Sequence, residues 1–103
     1  MDSEQRLTLH LAAVFASNFT NHMLVICKAI LDQENIPFTI MDTLISETIN
    51  KALDGDPKAA QTGPARRKDV RVLTNHLKHL QEKRLWKSVY KSVSESIMDL
   101  SNK

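Results

Sequence analysis

The sequence predicts an all-α domain of about four main helices, with a long first helix. Aromatic residues make up only 5% of the 103 residues, and few β-branched runs are bounded by turns, so a sandwich or barrel is disfavoured. Apolar residues recur three and four positions apart in several segments, which is the spacing of amphipathic helices. We therefore expect residues 1–103 to form a single small domain with one core.

The first predicted helix has Ser3 as its N-cap and extends to about Asn35, because this stretch contains neither glycine nor proline. At ~1.5 Å of rise per residue it is roughly 45–50 Å long. Pro37 ends it, since the residue before a proline resists the α conformation. Apolar residues lie nearly all round this helix, so several neighbours must cover it.

The second predicted helix runs from about Phe38 to Leu53, where apolar residues follow amphipathic spacing, and Gly55 closes it. Asp56 then offers an N-cap followed by a proline. This pair predicts one short helical turn over Pro57–Gln61.

Gly63-Pro64 ends that turn and is followed by a loop. The third predicted helix starts at Asp69, and the fourth follows a break near Glu82 to Arg84. Apolar residues at helical spacing mark these two helices: Val70, Leu73, Leu77 and Leu80 in the third, and Leu85, Trp86, Val89, Tyr90, Val93, Ile97 and Leu100 in the fourth.

Residues 7–27 carry no charged side chain and are long enough to span a bilayer. Polar residues such as His10 and Asn18 interrupt this run, and each one left unpaired in hydrocarbon costs several kcal/mol. The start of the chain is acidic where a signal peptide is basic. The single cysteine, Cys27, cannot form an internal disulfide. We therefore expect a cytoplasmic protein with no membrane contact.

Glycine poverty argues against a self-contained nucleotide-binding enzyme. Gly55 and Gly63 are the only glycines, and neither G-x-G-x-x-G nor G-x-x-x-x-G-K-[ST] occurs. Metal chemistry also finds little support, because His76 and His79 are three residues apart without an H-E-x-x-H motif or a second cysteine. The sequence predicts no metal site.

Charge is distributed unevenly along the chain. Residues 1–65 hold four basic and eight acidic side chains, whereas residues 66–103 hold ten basic and four acidic ones. Such a split can mark a nucleic-acid surface. However, Lys83, Arg84, Lys87 and Lys91 have the spacing of the solvated side of an amphipathic helix, and no aromatics alternate with them. Nucleic acid is therefore a disfavoured partner.

A polar stripe interrupts the apolar first helix. His10, Ser17 and Asn21 are spaced by seven and four residues, and Asn18 and His22 are four apart. In one interpretation these side chains satisfy one another or a backbone carbonyl. In the other they face a pocket, where a histidine can move a proton near neutral pH. Periodicity alone favours the first interpretation.

A second constellation is the run Gln61 to Arg67, in which a Gly-Pro pair precedes two arginines. Guanidinium groups present forked donors suited to a carboxylate or phosphate. Alternatively, Arg66 and Arg67 cap the acidic end of the second helix or lie in solvent.

At these two constellations the chain resembles a known family. The segments His10–His22, Ile36–Phe38, Ala60–Asp69 and His76-Leu77 look like the C-terminal helical domain of the Rossmann-like NADP-dependent oxidoreductases. The resemblance covers almost the whole chain. Its two motifs, A-A-V-F-A-S-N-F-x-N-H and A-Q-T-G-P-A-R-R, are long enough to be fairly specific.

The resemblance implies a fold similar to the C-terminal domain of 6-phosphogluconate dehydrogenase, with a dimer built on the first helix. It also implies that Asn21 and His22 are catalytic and that Ser17 and Asn18 face the nicotinamide and the substrate. A second set of substrate-facing or cofactor-facing residues would close the pocket: Gln61, Thr62, Gly63 and Arg66.

One departure from the resemblance concerns proton transfer. Hydroxyacid dehydrogenases place a lysine one turn before an asparagine on this helix, whereas Ser17 stands there in this chain. Reduction of a carbonyl or imine, assisted by neutral donors, remains open.

Together these observations predict the C-terminal dimerisation and substrate-pocket domain of an NADP-dependent oxidoreductase whose N-terminal Rossmann domain is absent from this chain. Alone, the chain is expected to bind no dinucleotide strongly and to catalyse nothing, and its expected partners are a second copy, the Rossmann domain and a small-molecule substrate. The alternative is a freestanding helical module that binds a protein, an anion or nucleic acid through its basic C-terminal half.

Overall fold

All regular elements of the computed structural model, which describes residues 1–103, are helical, so the predicted fold class is confirmed. The first helix is continuous over the 31 residues Ser3–Gln33. It consists of α1 (Ser3–Ala13), a π-helical turn (Val14–Phe19) and α2 (Thr20–Gln33). The later elements are a 3-10 helix (Phe38–Met41), α3 (Asp42–Asp54), α4 (Pro64–Arg67), α5 (Val70–His79) and α6 (Arg84–Ser101).

The first helix is capped one residue earlier than the sequence suggested. Asp2, rather than Ser3, is the N-cap, and its Oδ1 accepts a hydrogen bond from the Gln5 backbone at 2.8 Å. The Gln5 side chain in turn accepts from the Asp2 backbone N–H at 3.0 Å, which completes a capping box. The prediction of Ser3 as N-cap is wrong because it overlooked this reciprocal pair.

A Schellman motif ends the first helix close to the predicted position. Asn35 adopts the left-handed conformation with φ 56°, and the Ile36 N–H donates to the Leu31 carbonyl at 3.0 Å. Asparagine tolerates this conformation better than most residues, since its side chain can bond locally. The chain therefore turns before Pro37 is reached.

A turn forms after α3 at residues 57–60, where the sequence predicted a short helical turn over Pro57–Gln61. The Ala60 N–H donates to the Asp56 carbonyl at 3.1 Å, and the Asp56 carboxylate accepts from the Lys58 N–H at 3.1 Å. This segment is a hydrogen-bonded turn rather than a helix.

Sequence reasoning missed α4, which forms where a loop was expected. Gly63 stands at its N-cap with φ 103°, and Pro64 occupies the first helical position. Lys68 ends α4 in the left-handed conformation with φ 57°. Proline at the first helical position is a known start signal, so Pro64 could have indicated this helix.

The predicted start of α5 and the break before α6 agree with the structure. Asp69 caps α5 by accepting a hydrogen bond from the Val72 N–H at 3.2 Å. Between the helices, the Lys83 N–H donates to the Leu80 carbonyl at 2.9 Å.

The chain forms two compact units, Met1–Ile45 and Ser46–Lys103. In the first, α2 packs against the 3-10 helix, and Leu31 is the one buried apolar residue. In the second, α4 packs against α5 and α6, and Ala65 is the most buried residue, with 4% of its surface exposed.

Much apolar surface is left uncovered. The solvent-accessible surface of the chain is 8425 Å². Two compact globular units with the same total mass would together expose only ~7,100 Å². No residue of α1 is buried, and Leu7, Leu9 and Leu11 are each more than half exposed. The first unit therefore does not supply the cover that an apolar helix of this length requires.

Candidate functional site

The π-helical turn interrupts the long helix at its polar stripe. The Thr20 hydroxyl donates to the Phe15 carbonyl, five residues earlier, at 3.2 Å. The rings of Phe15 and Phe19 pack edge to face, with centroids 4.9 Å apart. A π turn holds an extra residue, so it changes which side chains share a face of the helix, and such turns are frequent at functional sites.

Four predicted site residues cluster at this turn, and we refer to them as the neutral polar cluster: Ser17, Asn18, Asn21 and His22. The first two lie in the π turn and the other two in the first turn of α2. All four are exposed, and none of their side chains makes a hydrogen bond within the chain. They therefore do not satisfy one another, and their donors and acceptors are available to a second molecule.

Large apolar side chains flank the neutral polar cluster on the same helix. Leu11 precedes the cluster and is 59% exposed, and Phe15, in the same π turn as Ser17 and Asn18, is 62% exposed. Val25 follows the cluster and is 52% exposed. An apolar surface with a few convergent polar groups is typical of a ligand pocket or an interface. The exposed surface around the neutral polar cluster thus has the composition expected of one wall of such a site.

The second predicted set lies around the start of α4. The Gln61 amide donates to the Thr62 carbonyl at 2.9 Å, and Gly63 holds the backbone at φ 103°. Arg66 is exposed and forms no ion pair or hydrogen bond within the chain. Gln61 and Arg66 line a common groove, whereas Thr62 and Gly63 do not.

The two sets belong to different units. The neutral polar cluster lies in Met1–Ile45, and the second set lies in Ser46–Lys103. Their joint contribution to one pocket stays a prediction.

A histidine–tyrosine pair in the second unit was not anticipated from the sequence. His76 Nδ1 lies 2.7 Å from the Tyr90 hydroxyl, and the two rings meet edge to face at 5.7 Å. Burial raises the pKa of Tyr90 above its usual value of about 10, because desolvation disfavours the phenolate. Fourteen residues separate the partners, so only the packing of α5 on α6 brings them together.

No group of three or more His, Cys, Asp or Glu side chains among residues 1–103 could hold a metal ion. One helix, Ser3–Gln33, has the length and composition needed to cross a membrane, with a mean hydropathy of 1.3 in its most apolar window. Core helices of soluble proteins and signal sequences share these properties.

Fold and site together define an all-helical domain whose long, exposed first helix carries a neutral polar cluster within an apolar surface. Residues 1–97 match the family model described as a domain of unknown function, DUF2520, and the chain belongs to that family. The resemblance to the C-terminal helical domain of NADP-dependent oxidoreductases is likewise supported by a structural comparison.

That comparison finds a crystal structure from Bacteroides fragilis, described as a "putative NADP oxidoreductase", which is 47% identical with a TM-score of 0.91. The match covers 96% of this chain but only 38% of the other protein. This chain therefore spans well under half the length of that relative. A search of curated proteins finds no match.

Proposed function

We propose that this chain is the C-terminal dimerisation and substrate-pocket domain of a cytoplasmic, two-domain NADP-dependent oxidoreductase. The observation that carries the proposal is 47% identity, over 96% of this chain, to a protein described as a "putative NADP oxidoreductase". Because the match covers 38% of that protein, the proposal assigns dinucleotide binding to a Rossmann domain outside the present sequence.

The residues of this chain fit the nicotinamide end of NADP and not its phosphate groups. The neutral polar cluster offers amide, hydroxyl and imidazole groups without partners in the chain, which suits a nicotinamide carboxamide and a polar substrate. With Gly55 and Gly63 as its only glycines, the chain has no phosphate-binding glycine loop. NADP, when bound, supplies or accepts the hydride.

Within this proposal, Asn21 and His22 act on the substrate. Asn21 donates a hydrogen bond to the reacting carbonyl or imine, and His22 supplies or takes the proton at that atom. Ser17 and Asn18 orient the substrate and the nicotinamide from the π turn. The absence of a lysine at position 17 favours carbonyl or imine reduction over hydroxyacid oxidation.

The second set completes the pocket in this proposal. Gln61, Thr62 and Gly63 close it from the loop before α4, and Arg66 binds an anionic group of the substrate through its forked donors. Neutral donors suit many carbonyl and imine compounds, so the proposal specifies the class of substrate and not a single compound.

The direct test joins this chain to the segment encoded upstream of it and measures NADPH oxidation against a panel of carbonyl and imine compounds. The joined protein is expected to bind NADPH and to turn over a member of the panel, whereas residues 1–103 alone do neither. An upstream sequence without a strand followed by G-x-G-x-x-G contradicts the proposal. In that case, salt-sensitive DNA retardation by residues 1–103 would favour the alternative anion-binding module.

Single variants of the joined protein test the roles of the site residues. Asn21→Ala and His22→Ala are expected to lower kcat by ~100-fold, the scale of one general acid or one positioned donor. Arg66→Ala is expected to raise KM instead. The matched controls are Asn50→Ala and His79→Ala, exposed positions outside both sets. Unchanged kinetics in all three site variants would show that these side chains take no part in the reaction.

A further inference from the structure

A groove of about 650 Å³ lies wholly within the unit Ser46–Lys103. Its sides are the turn at residues 56–61, α4 through Arg66, and the C-terminal half of α6. This volume falls within the range of 300–1,000 Å³ typical of small-molecule sites. The proposed oxidoreductase role does not assign the α6 side of this groove.

One wall of the groove is apolar. Val93, Ile97 and Leu100 follow one another at the four-and-three spacing that places side chains on one face of α6. Val93 is 47% exposed and Leu100 is 50% exposed, so this wall has unburied apolar surface. An aliphatic group lying on it would remove that surface from water.

Cationic side chains also line the groove. Arg66 and Lys58 line it together with one carboxylate, Asp56. The Asp56 carboxylate already accepts the Lys58 backbone N–H at 3.1 Å, and Lys103, a third cation at the groove, is paired with Asp99 at 3.3 Å. The side chains of Arg66 and Lys58 both lack an ion-pair partner in the chain, and Arg66 is the one of the two that offers forked donors.

We propose that the groove binds a small organic acid with an aliphatic body, whose carboxylate pairs with Arg66 and whose chain lies along α6. The guanidinium fork matches a carboxylate in a bidentate geometry, and the apolar wall selects for a tail. Charge complementarity and the apolar wall thus point to a single class of ligand. The site shares Arg66 and Gln61 with the proposed substrate pocket but needs no residue outside Ser46–Lys103. Octanoate binding by residues 1–103 therefore tests it without the Rossmann domain or the neutral polar cluster.

The test titrates residues 1–103 with sodium octanoate and follows backbone amide shifts by NMR. Shifts are expected at Arg66 and along residues 93–101. Butanoate, which has four fewer methylenes, is expected to bind at least ~10-fold more weakly, because each buried methylene contributes to affinity. Octanol, which lacks the charge, is also expected to bind at least ~10-fold more weakly.

A matched pair of variants isolates the guanidinium. Arg66→Gln is expected to weaken octanoate binding by at least ~10-fold. Arg67→Gln, on the same short helix but outside the groove, is expected to change it by less than about twofold. The proposal is overturned if octanoate gives no saturable shifts, if octanol binds as tightly as octanoate, or if both variants weaken binding equally.

Discussion

Gly63 has φ 103° and ψ 171°, a conformation open to glycine and costly for other residues. It occupies the N-cap of α4, immediately before Pro64, which starts the helix. A Cβ at position 63 would meet no atom within 4 Å, so the constraint is in the backbone and not in packing. This glycine is therefore required by the turn that presents Arg66.

Gly63→Ala should lower the free energy of unfolding by about 1–3 kcal/mol, the cost of holding a non-glycine residue in this region. Gly55→Ala is the control, because Gly55 has no positive φ and is also surrounded by open space. The control should leave stability unchanged or raise it by up to ~1 kcal/mol. Urea unfolding followed by circular dichroism makes the comparison, and equal losses in both variants would contradict this explanation.

Residue-level predictions succeeded where the signal was local and failed where two signals competed. The start of α5 was predicted at Asp69, and the structure shows that the Asp69 carboxylate caps this helix directly before its apolar periodic run. Asp2 and Ser3 are both good caps, and the Gln5 side chain decides between them by reaching back to the Asp2 N–H. The His76–Tyr90 pair had no local signal, because its partners lie on different helices.

At the scale of elements, the π-helical turn is the feature that the sequence did not reveal. Val14–Phe19 contains no glycine or proline, and its residues are compatible with an ordinary α-helix. In the structure, the turn contains the hydrogen bond from the Thr20 hydroxyl to the Phe15 carbonyl and the edge-to-face contact of the Phe15 and Phe19 rings. Apolar periodicity locates the helix but not an extra residue within one of its turns.

Thr20→Val should loosen the π turn by removing the hydroxyl that satisfies the Phe15 carbonyl. One such hydrogen bond is worth about 1 kcal/mol, so amide exchange over residues 14–24 should quicken by about fivefold. Thr8→Val is the control, because Thr8 is exposed on α1 and has no side-chain hydrogen bond. Hydrogen exchange measured by NMR separates the two, and unchanged exchange in Thr20→Val would show that the hydroxyl does not hold the turn.

At the scale of the molecule, the first helix is long, apolar and without a buried residue in α1. The sequence predicted both its length and its need for cover, since its apolar residues lie nearly all round it. What provides that cover could not be read from periodicity, because an exposed apolar face has the same pattern as a buried one. This chain matches only 38% of the relative from Bacteroides fragilis, and we propose that a second copy or chain beyond these residues supplies the cover.

Two variants distinguish a specific interface on the first helix from nonspecific hydrophobic association. Leu11→Glu places a charge on the exposed apolar surface of α1 and should weaken self-association by at least ~10-fold. Leu53→Glu is the control, because Leu53 is 79% exposed near the end of α3, away from the first helix in sequence. Equal weakening by both substitutions would argue against a specific interface on the first helix.

The most direct test of the central claim, that the first helix is an association surface, is the mass of residues 1–103 in solution. Light scattering at micromolar concentration should give about 23 kDa, twice the 11.7 kDa of one chain. A monomer mass that persists up to about 100 μM would contradict the claim, since an uncovered apolar helix of this length should not remain unpaired.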